Sequence, residues 1–186
     1  DNSVYIYNIE SQTFKKLATA GSVPYALGFG RHVAYAGNDG IVTFCDKNGN
    51  VIQKFDYTGN ESLRDFSGAY FNPMGESLVL ANYSKFLVFN YDSKNQEWSD
   101  KGALEIQNYY MITAGCWKPD GTKFMTGNLC GSVDVFDISI KKLKFKGKFE
   151  LSYISPSKVK IVSLEKGIQT VITSHRGLEI AKIDIV

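Results

Sequence analysis

The chain has 186 residues and a formal net charge of +2, with 44% hydrophobic and 22% charged residues. This mixture is typical of a chain that folds around a core, and the near-neutral charge gives no global attraction to nucleic acid or to an anionic membrane. Its 12 Phe, 11 Tyr and 17 Gly beside only 4 Pro favour β-structure. No apolar run approaches the length of about 18 residues that a spanning helix needs. The start at Asp1, without Met, suggests a fragment.

Short apolar strands that end in an aromatic residue recur about every 37 to 47 residues, at positions 4–8, 42–45, 87–90 and 133–137. A second marker repeats in phase with them, as Phe-Asn-Pro-Met-Gly at 71–75 and Trp-Lys-Pro-Asp-Gly at 117–121, with a degenerate copy at Phe29. About four short strands per repeat of this length indicate a blade of a β-propeller. The predicted fold is therefore all-β, a partial WD40-type propeller of about three full four-stranded blades with partial blades at both ends. A β-sandwich is the structural alternative.

Within the first full repeat, Asn48-Gly49 predicts a hairpin turn with positive φ at both residues. Residues 61–66 are compatible with one turn of helix. In the second repeat, 77–81 and 86–89 are continuous apolar runs, as expected for inner strands that are buried on both faces. Three blades are fewer than the four to eight of a closed ring, and repeat units depend on their neighbours. The isolated segment is therefore not expected to melt as a cooperative monomer.

The third repeat predicts strands at 114–117, 123–126 and 132–137, and an outer strand at 143–149 in which apolar residues alternate with lysines. Charges on an outer strand discourage pairing with another chain, so edge protection is the main interpretation. The alternative is an interface formed by Lys142, Lys144, Lys146 and Lys148. It would contact an acidic protein or, weakly, an anionic membrane. Nucleic acid is disfavoured because Phe145 and Phe149 alternate onto the opposite face.

Residues suited to catalysis or metal binding are sparse. His32 and His175 are far apart, and Cys45, Cys116 and Cys130 form no CxxC pair, which weakly favours a reducing compartment. The segment 46–50 departs from the calcium-loop pattern and is predicted to be a plain turn. We expect no enzyme activity, no catalytic or metal residues and no cofactor. A propeller hydrolase remains a weaker alternative, which would need an acid–base pair outside this chain.

Longer strings carry a resemblance to a known family. They are GNVIQKFDY at 49–57, ITAGCWKPDG at 112–121, GNLCG at 127–131, KFELSY at 148–153, PSKV at 156–159 and SHRGLE at 174–179. From about residue 21 onward, the chain resembles the amino-terminal WD-repeat region of the intraflagellar transport protein 172 family. The WD dipeptide itself is eroded, to Phe136-Asp137 in the third repeat, so the resemblance rests on the longer strings.

The resemblance implies two tandem propellers followed by a helical-repeat tail. On that basis, residues 1–20 are the tail of a preceding blade, 21–154 are three consecutive blades of the first propeller, and 155–186 are closing strands and the crossing into a second propeller. It also implies a non-enzymatic scaffold of intraflagellar transport complex B that supports cargo transport along axonemal microtubules and cilium assembly.

The implied partners are other complex B subunits and, indirectly, kinesin and dynein motors. The implied locations are the cilium or flagellum, the basal body and the cytoplasm. A coat-type membrane-trafficking WD-repeat scaffold has the same architecture and remains the alternative.

Overall fold

A computed structural model describes residues 1–107, 109–139, 141–155, 157–176 and 178–185. Pro156, in the predicted crossing, and Gly177, in the last matching string, lie outside the described residues. Strand accounts for 54% of the described residues, which confirms the all-β prediction. No helix in the described ranges is long and apolar enough to cross a membrane.

The described ranges contain seventeen strands. They are β1 Ser3–Asn8, β2 Thr13–Thr19, β3 Ala26–Phe29, β4 Val33–Ala36, β5 Ile41–Cys45, β6 Val51–Asp56, β7 Gly68–Phe71, β8 Ser77–Ala81, β9 Lys85–Asp92, β10 Glu97–Glu105, β11 Ile112–Trp117, β12 Lys123–Asn128, β13 Val133–Asp137, β14 Lys141–Phe145, β15 Phe149–Ser155, β16 Lys158–Ser163 and β17 Gln169–Thr173. One 3₁₀ turn, Glu61–Leu63, lies between β6 and β7.

Each sheet is an antiparallel meander of consecutive strands. We call β1–β2 the amino-terminal hairpin, β3–β6 blade 1, β7–β10 blade 2, β11–β13 blade 3 and β14–β17 the carboxy-terminal sheet. The inner strand β7 lies between the inner strands β3 and β11 of the neighbouring blades. The amino-terminal hairpin packs through Val4 and Leu17 on the face of blade 1 that points away from blade 2.

Blade 2 is buried on both faces because it lies between two other blades. All five residues of β8 are buried, as the continuous apolar run predicts. Since successive side chains on a strand point to opposite faces, Leu78 and Leu80 join a core shared with blade 1. Val79 and Ala81 join a second core, shared with blade 3. The strand alternation therefore places blade 2 as a wedge between its neighbours.

The inner strands approach closely at glycine. A Cβ on Gly30 would lie 2.5 Å from the Phe71 ring, closer than real contacts allow. Across the other boundary, the Ser67 hydroxyl donates to the Ile112 carbonyl at 2.9 Å, and the Trp117 indole donates to the Tyr70 carbonyl at 2.9 Å. These bonds join residues about one repeat apart, so the blades are stacked in phase.

The predicted outer strand at 143–149 is wrong. The chain turns at Lys146 and Gly147, which both have left-handed backbones with φ of 50° and 68°. The turn separates β14 from β15, and β14 pairs with β15 and not with blade 3, in which three strands are described. Because the pattern of apolar residues and lysines continues on both sides of the turn, the sequence pattern does not reveal the turn. The edge position is correct, since β14 lies at one edge of its own four-stranded sheet.

The predicted hairpin between β5 and β6 is confirmed, but of its two central residues only Gly49 has positive φ, at 94°. A Cβ on Gly49 would lie 2.3 Å from the Leu17 carbonyl oxygen. The close approach of the amino-terminal hairpin therefore also requires glycine at this position. The Asp46 carboxylate accepts from the backbone N–H groups of Asn48 and Asn50 and stabilises the turn. The 3₁₀ turn lies where one turn of helix is expected, and Asn60 caps it by accepting from Ser62 N–H.

Candidate interaction surfaces

The outer strands of blades 1 and 2 are joined by side-chain hydrogen bonds. The Gln53 amide donates to the Trp98 carbonyl at 2.8 Å and accepts from the Trp98 N–H at 2.7 Å, as a neighbouring strand would. The Tyr57 hydroxyl donates to Asp100 at 2.6 Å. Burial is the main cause that raises the pKa of Tyr57, and this hydrogen bond raises it further. These contacts fix the angle between the two blades and make them a stiff unit.

His32 completes the polar contacts of the same boundary. Its Nδ1 accepts from the Trp98 indole N–H at 3.0 Å, and its ring packs edge-on against Tyr91. Burial lowers the pKa of His32, and the Arg31 charge lowers it further against the opposing effect of Asp46. A neutral imidazole is what this hydrogen bond requires, because a protonated Nδ1 could not accept.

The carboxy-terminal sheet docks on two turns, one between β7 and β8 in blade 2 and one between β11 and β12 in blade 3. The sequence identified both turns as repeat markers. Buried Glu76 accepts from the Ser157 hydroxyl at 2.8 Å and lies 3.5 Å from Arg31 of blade 1. Lys158 Nζ lies 3.3 Å from the sulfur of Met74. We call Arg31, Glu76 and Ser157 the three-way junction, because they join blade 1, blade 2 and the carboxy-terminal sheet.

A second docking point lies on blade 3. Asp120 binds Lys118 at 2.8 Å and Lys160 of β16 at 3.3 Å. Burial raises the pKa of this carboxyl, but hydrogen bonds from Lys118, Thr122 and Lys160 outweigh it and lower the pKa overall. Close by, a Cβ on Gly121 would lie 2.8 Å from the Ile154 side chain. The sheet is therefore held at two turns, in contact with both blades.

The predicted lysine site lies on and beside the β14–β15 hairpin, which we call the lysine hairpin. Neighbouring acids compensate much of the charge of these lysines. Lys142 pairs with Asp137, which raises the Lys142 pKa, and Lys148 lies 3.4 Å from Glu165. Lys144 lies opposite Glu150 in the register of β14 and β15. Lys146 is in the turn, with its Nζ 5.1 Å from the centre of the Phe145 ring. The interface role of these lysines stays a prediction.

The structure also contains a cleft that the sequence did not predict. It has a volume of about 410 Å³ and is lined by Tyr25, Asn38, Asp65, Phe66, Ser67, Tyr83 and Met111. We call it the three-blade cleft, since blades 1 and 2 and the residue leading into blade 3 all contribute. No local motif marks it, because its residues come from separate repeats. In the described part of the chain, no group of three or more His, Cys, Asp or Glu residues is placed to hold a metal ion.

The fold is that of a WD40-type β-propeller. One solved structure that resembles this chain is a WD40 propeller chain in a crystal structure of the mitotic checkpoint complex. The two are 10% identical with a TM-score of 0.60, over 93% of this chain and 60% of that one. This likeness confirms the predicted fold class. No family model matches the sequence.

Curated relatives identify the family. Intraflagellar transport protein 172 of Chlamydomonas reinhardtii is 37% identical over 190 residues, covering 100% of this chain and 11% of the relative. The Mus musculus homologue is 37% identical over 171 residues, covering 91% and 10%. Intraflagellar transport protein osm-1 of Caenorhabditis elegans is 33% identical over 186 residues, covering 100% and 11%. The chain belongs to the intraflagellar transport protein 172 family and spans about a tenth of the length of these relatives.

Proposed function

We propose that this segment is a non-enzymatic protein-interaction scaffold in intraflagellar transport. The observation that carries the proposal is the 37% identity with an intraflagellar transport protein over the full length of this chain. Its partners would be other subunits of transport complex B and, through them, the kinesin and dynein motors on axonemal microtubules. The protein would act in the cilium or flagellum, the basal body and the cytoplasm, and would support cilium assembly.

The mechanism is rigid display of surfaces to neighbouring subunits. The aromatic core between blades 1 and 2 includes Phe44 stacked on Trp98 with ring centres 4.6 Å apart, and the Gln53 amide bonds stiffen the same boundary. A stiff support lowers the ordering cost of binding, so a partner can be held with about 800 Å² of surface per side. The lysine hairpin would contribute at most a weak contact with an anionic membrane.

Two apolar faces support a place inside a larger ring. Blade 3 exposes Met125 and Val135 on the side away from blade 2, and the amino-terminal hairpin exposes Tyr7 and Phe14. Propeller blades cover such faces with adjoining blades. We propose that 1–20 is the tail of a preceding blade and that 21–154 are three blades of a first propeller. Residues 155–186 would close it and cross into a second, a division that falls at the end of β15.

The test is affinity purification of the tagged full-length protein from ciliated cells. The wild type is expected to recover other complex B subunits. Trp98→Ala, which removes the stacked indole between blades 1 and 2, is expected to reduce that recovery, while Lys94→Ala in an exposed turn leaves it unchanged. Recovery of coat subunits without transport-train subunits would contradict the proposal.

A further inference from the structure

We propose that the three-blade cleft binds a cationic side chain, arginine above all, carried by a flexible segment of another protein. The inference does not depend on which complex the protein joins. It rests on where the lining residues lie in the repeat, on their backbone conformation, and on the chemistry that they present together.

The cleft is built from equivalent positions of successive blades. Tyr25, Ser67 and Met111 each immediately precede the inner strand of a blade, β3, β7 and β11 respectively. Asn38 and Tyr83 lie in the equivalent turns between β4 and β5 and between β8 and β9. Because the inner strands lie side by side, these positions converge at one end of the strands. The propeller geometry therefore brings together side chains that are far apart in the sequence.

Two lining residues have a backbone with positive φ. Asp65 and Met111 are left-handed, with φ of 60° and 48°. Glycine reaches this conformation without the steric penalty that a side chain brings. Positive φ at residues other than glycine occurs at binding and active sites, and in this chain it also occurs in the hairpin turns at Gln12, Gln96 and Lys146. Met111 therefore places a flexible thioether, a side chain suited to adaptable binding surfaces, where glycine would fit the backbone better, whereas aspartate, as at Asp65, tolerates this conformation.

The exposed groups of the cleft favour a cation. Tyr25 is 66% and Tyr83 is 45% exposed, and Tyr110 meets Tyr83 edge-on with ring centres 5.8 Å apart. Asp65 is exposed, and none of the ion pairs among the described residues involves it. Its neighbour Arg64 is turned to the Thr58 carbonyl, to which it donates at 2.9 Å. Tyrosine rings beside an unpaired carboxylate attract a guanidinium by cation–π and charge-assisted contacts.

The size of the cleft favours an arginine that is part of a peptide. Its volume of about 410 Å³ lies within the range of sites for small organic groups. Arginine fits better than lysine, because the planar guanidinium both stacks on aromatic rings and forms paired hydrogen bonds with a carboxylate. An acidic segment would meet the Asp65 carboxylate and be repelled.

The test measures fluorescence anisotropy of labelled peptides with the full-length protein. The first probe is a labelled Gly/Ser peptide with one central arginine. It is titrated with protein, or displaced by the unlabelled peptide, up to a concentration of about 1 mM. The matched probes carry citrulline, which keeps the shape without the charge, or glutamate. Binding of the arginine peptide is expected to be at least about tenfold tighter than binding of the citrulline peptide. The glutamate peptide is expected not to bind.

Variants locate the site. Asp65→Asn removes the charge while keeping a residue that tolerates the left-handed backbone, and Tyr25→Leu removes a ring while keeping an apolar side chain. Each is expected to weaken arginine-peptide binding about tenfold. The matched control for the charge, Asp134→Asn on β13, is expected to bind like the wild type. Absence of arginine-peptide binding, equal binding of the citrulline peptide, or unchanged binding by Asp65→Asn would each overturn the proposal.

Discussion

Blades 2 and 3 are two copies of the same sequence repeat, but their strands differ in how deeply they are buried. In blade 2 all of β8 is buried, whereas in blade 3 the strand β12 alternates, with Phe124 and Thr126 buried and Met125 41% exposed. Blade 2 has a neighbour on each face, while blade 3 has one described blade beside it. The comparison shows that burial in this fold is set by the neighbouring blade as much as by the strand's own residues.

The largest expected effect tests the doubly covered side of this comparison. Trp98→Ala removes an indole that is 2% exposed and stacks on Phe44. We expect it to lower the opening free energy of β5 and β9 by about 3–5 kcal/mol, the cost of deleting a buried aromatic side chain. Hydrogen–deuterium exchange of the full-length protein measures this. Lys94→Ala in the exposed turn between β9 and β10 is the control, expected to stay within about 0.5 kcal/mol; equal effects of the two substitutions would contradict the stacking role of Trp98.

The three-way junction gives the next effect. Glu76→Ala removes the acceptor of Ser157 and the partner of Arg31. The Arg31 side chain is 39% exposed, so solvent screening reduces the loss, and about 1–2 kcal/mol is expected. Faster exchange should appear in β15 and β16, with little change in blade 3. Glu105→Gln, which removes an exposed partner of Lys85, is the matched control. If β16 exchanged as slowly in Glu76→Ala as in the wild type, the docking role of Glu76 would be contradicted.

A smaller, pH-dependent effect concerns His32. Its pKa in the folded state is lowered below 6.5 by burial and by Arg31. The unfolded state therefore binds the proton more readily, so this stabilising contribution is complete above about pH 6.5 and decreases as the pH falls through the lower folded pKa. Exchange at the boundary of blades 1 and 2 should accelerate below that pH. His32→Gln should remove this part of the pH dependence and His175→Gln should not; an unchanged profile in His32→Gln would exclude His32 as the cause.

The smallest expected effect is at the lysine hairpin. Lys142 and Lys148 form exposed ion pairs with Asp137 and Glu165, and such pairs contribute about 0.2–1 kcal/mol each. Replacing Lys142, Lys144, Lys146 and Lys148 with glutamate is expected to destabilise the hairpin slightly and to leave the recovery of partners nearly unchanged. The readout is the same affinity purification. A strong loss of complex B subunits in a folded variant would assign the hairpin to an interface.

Much of the fold is predictable from the sequence, because the repeat is local. The continuous apolar run at 77–81 predicted β8, and Asn48-Gly49 predicted the β5–β6 turn. The prediction for 143–149 was wrong, because alternating residues can lie on two strands of one hairpin when a turn at Lys146 and Gly147 keeps the phase.

The contacts between modules could not be predicted in this way. Glu76 and Ser157 are 81 residues apart, and no motif connects them. Asp65 and Met111 share a left-handed backbone that side-chain patterns do not reveal. The acids beside the lysine hairpin were also missed, since Asp137 and Glu165 come from outside the lysine run.

An experimental structure of the full-length protein at side-chain resolution would be the decisive test of the propeller arrangement. We expect β7 between β3 and β11, the Gln53 amide bonded to both backbone groups of Trp98, and Ser157 against Glu76. Two face-to-face layers that place β3 and β7 in opposite sheets would contradict it.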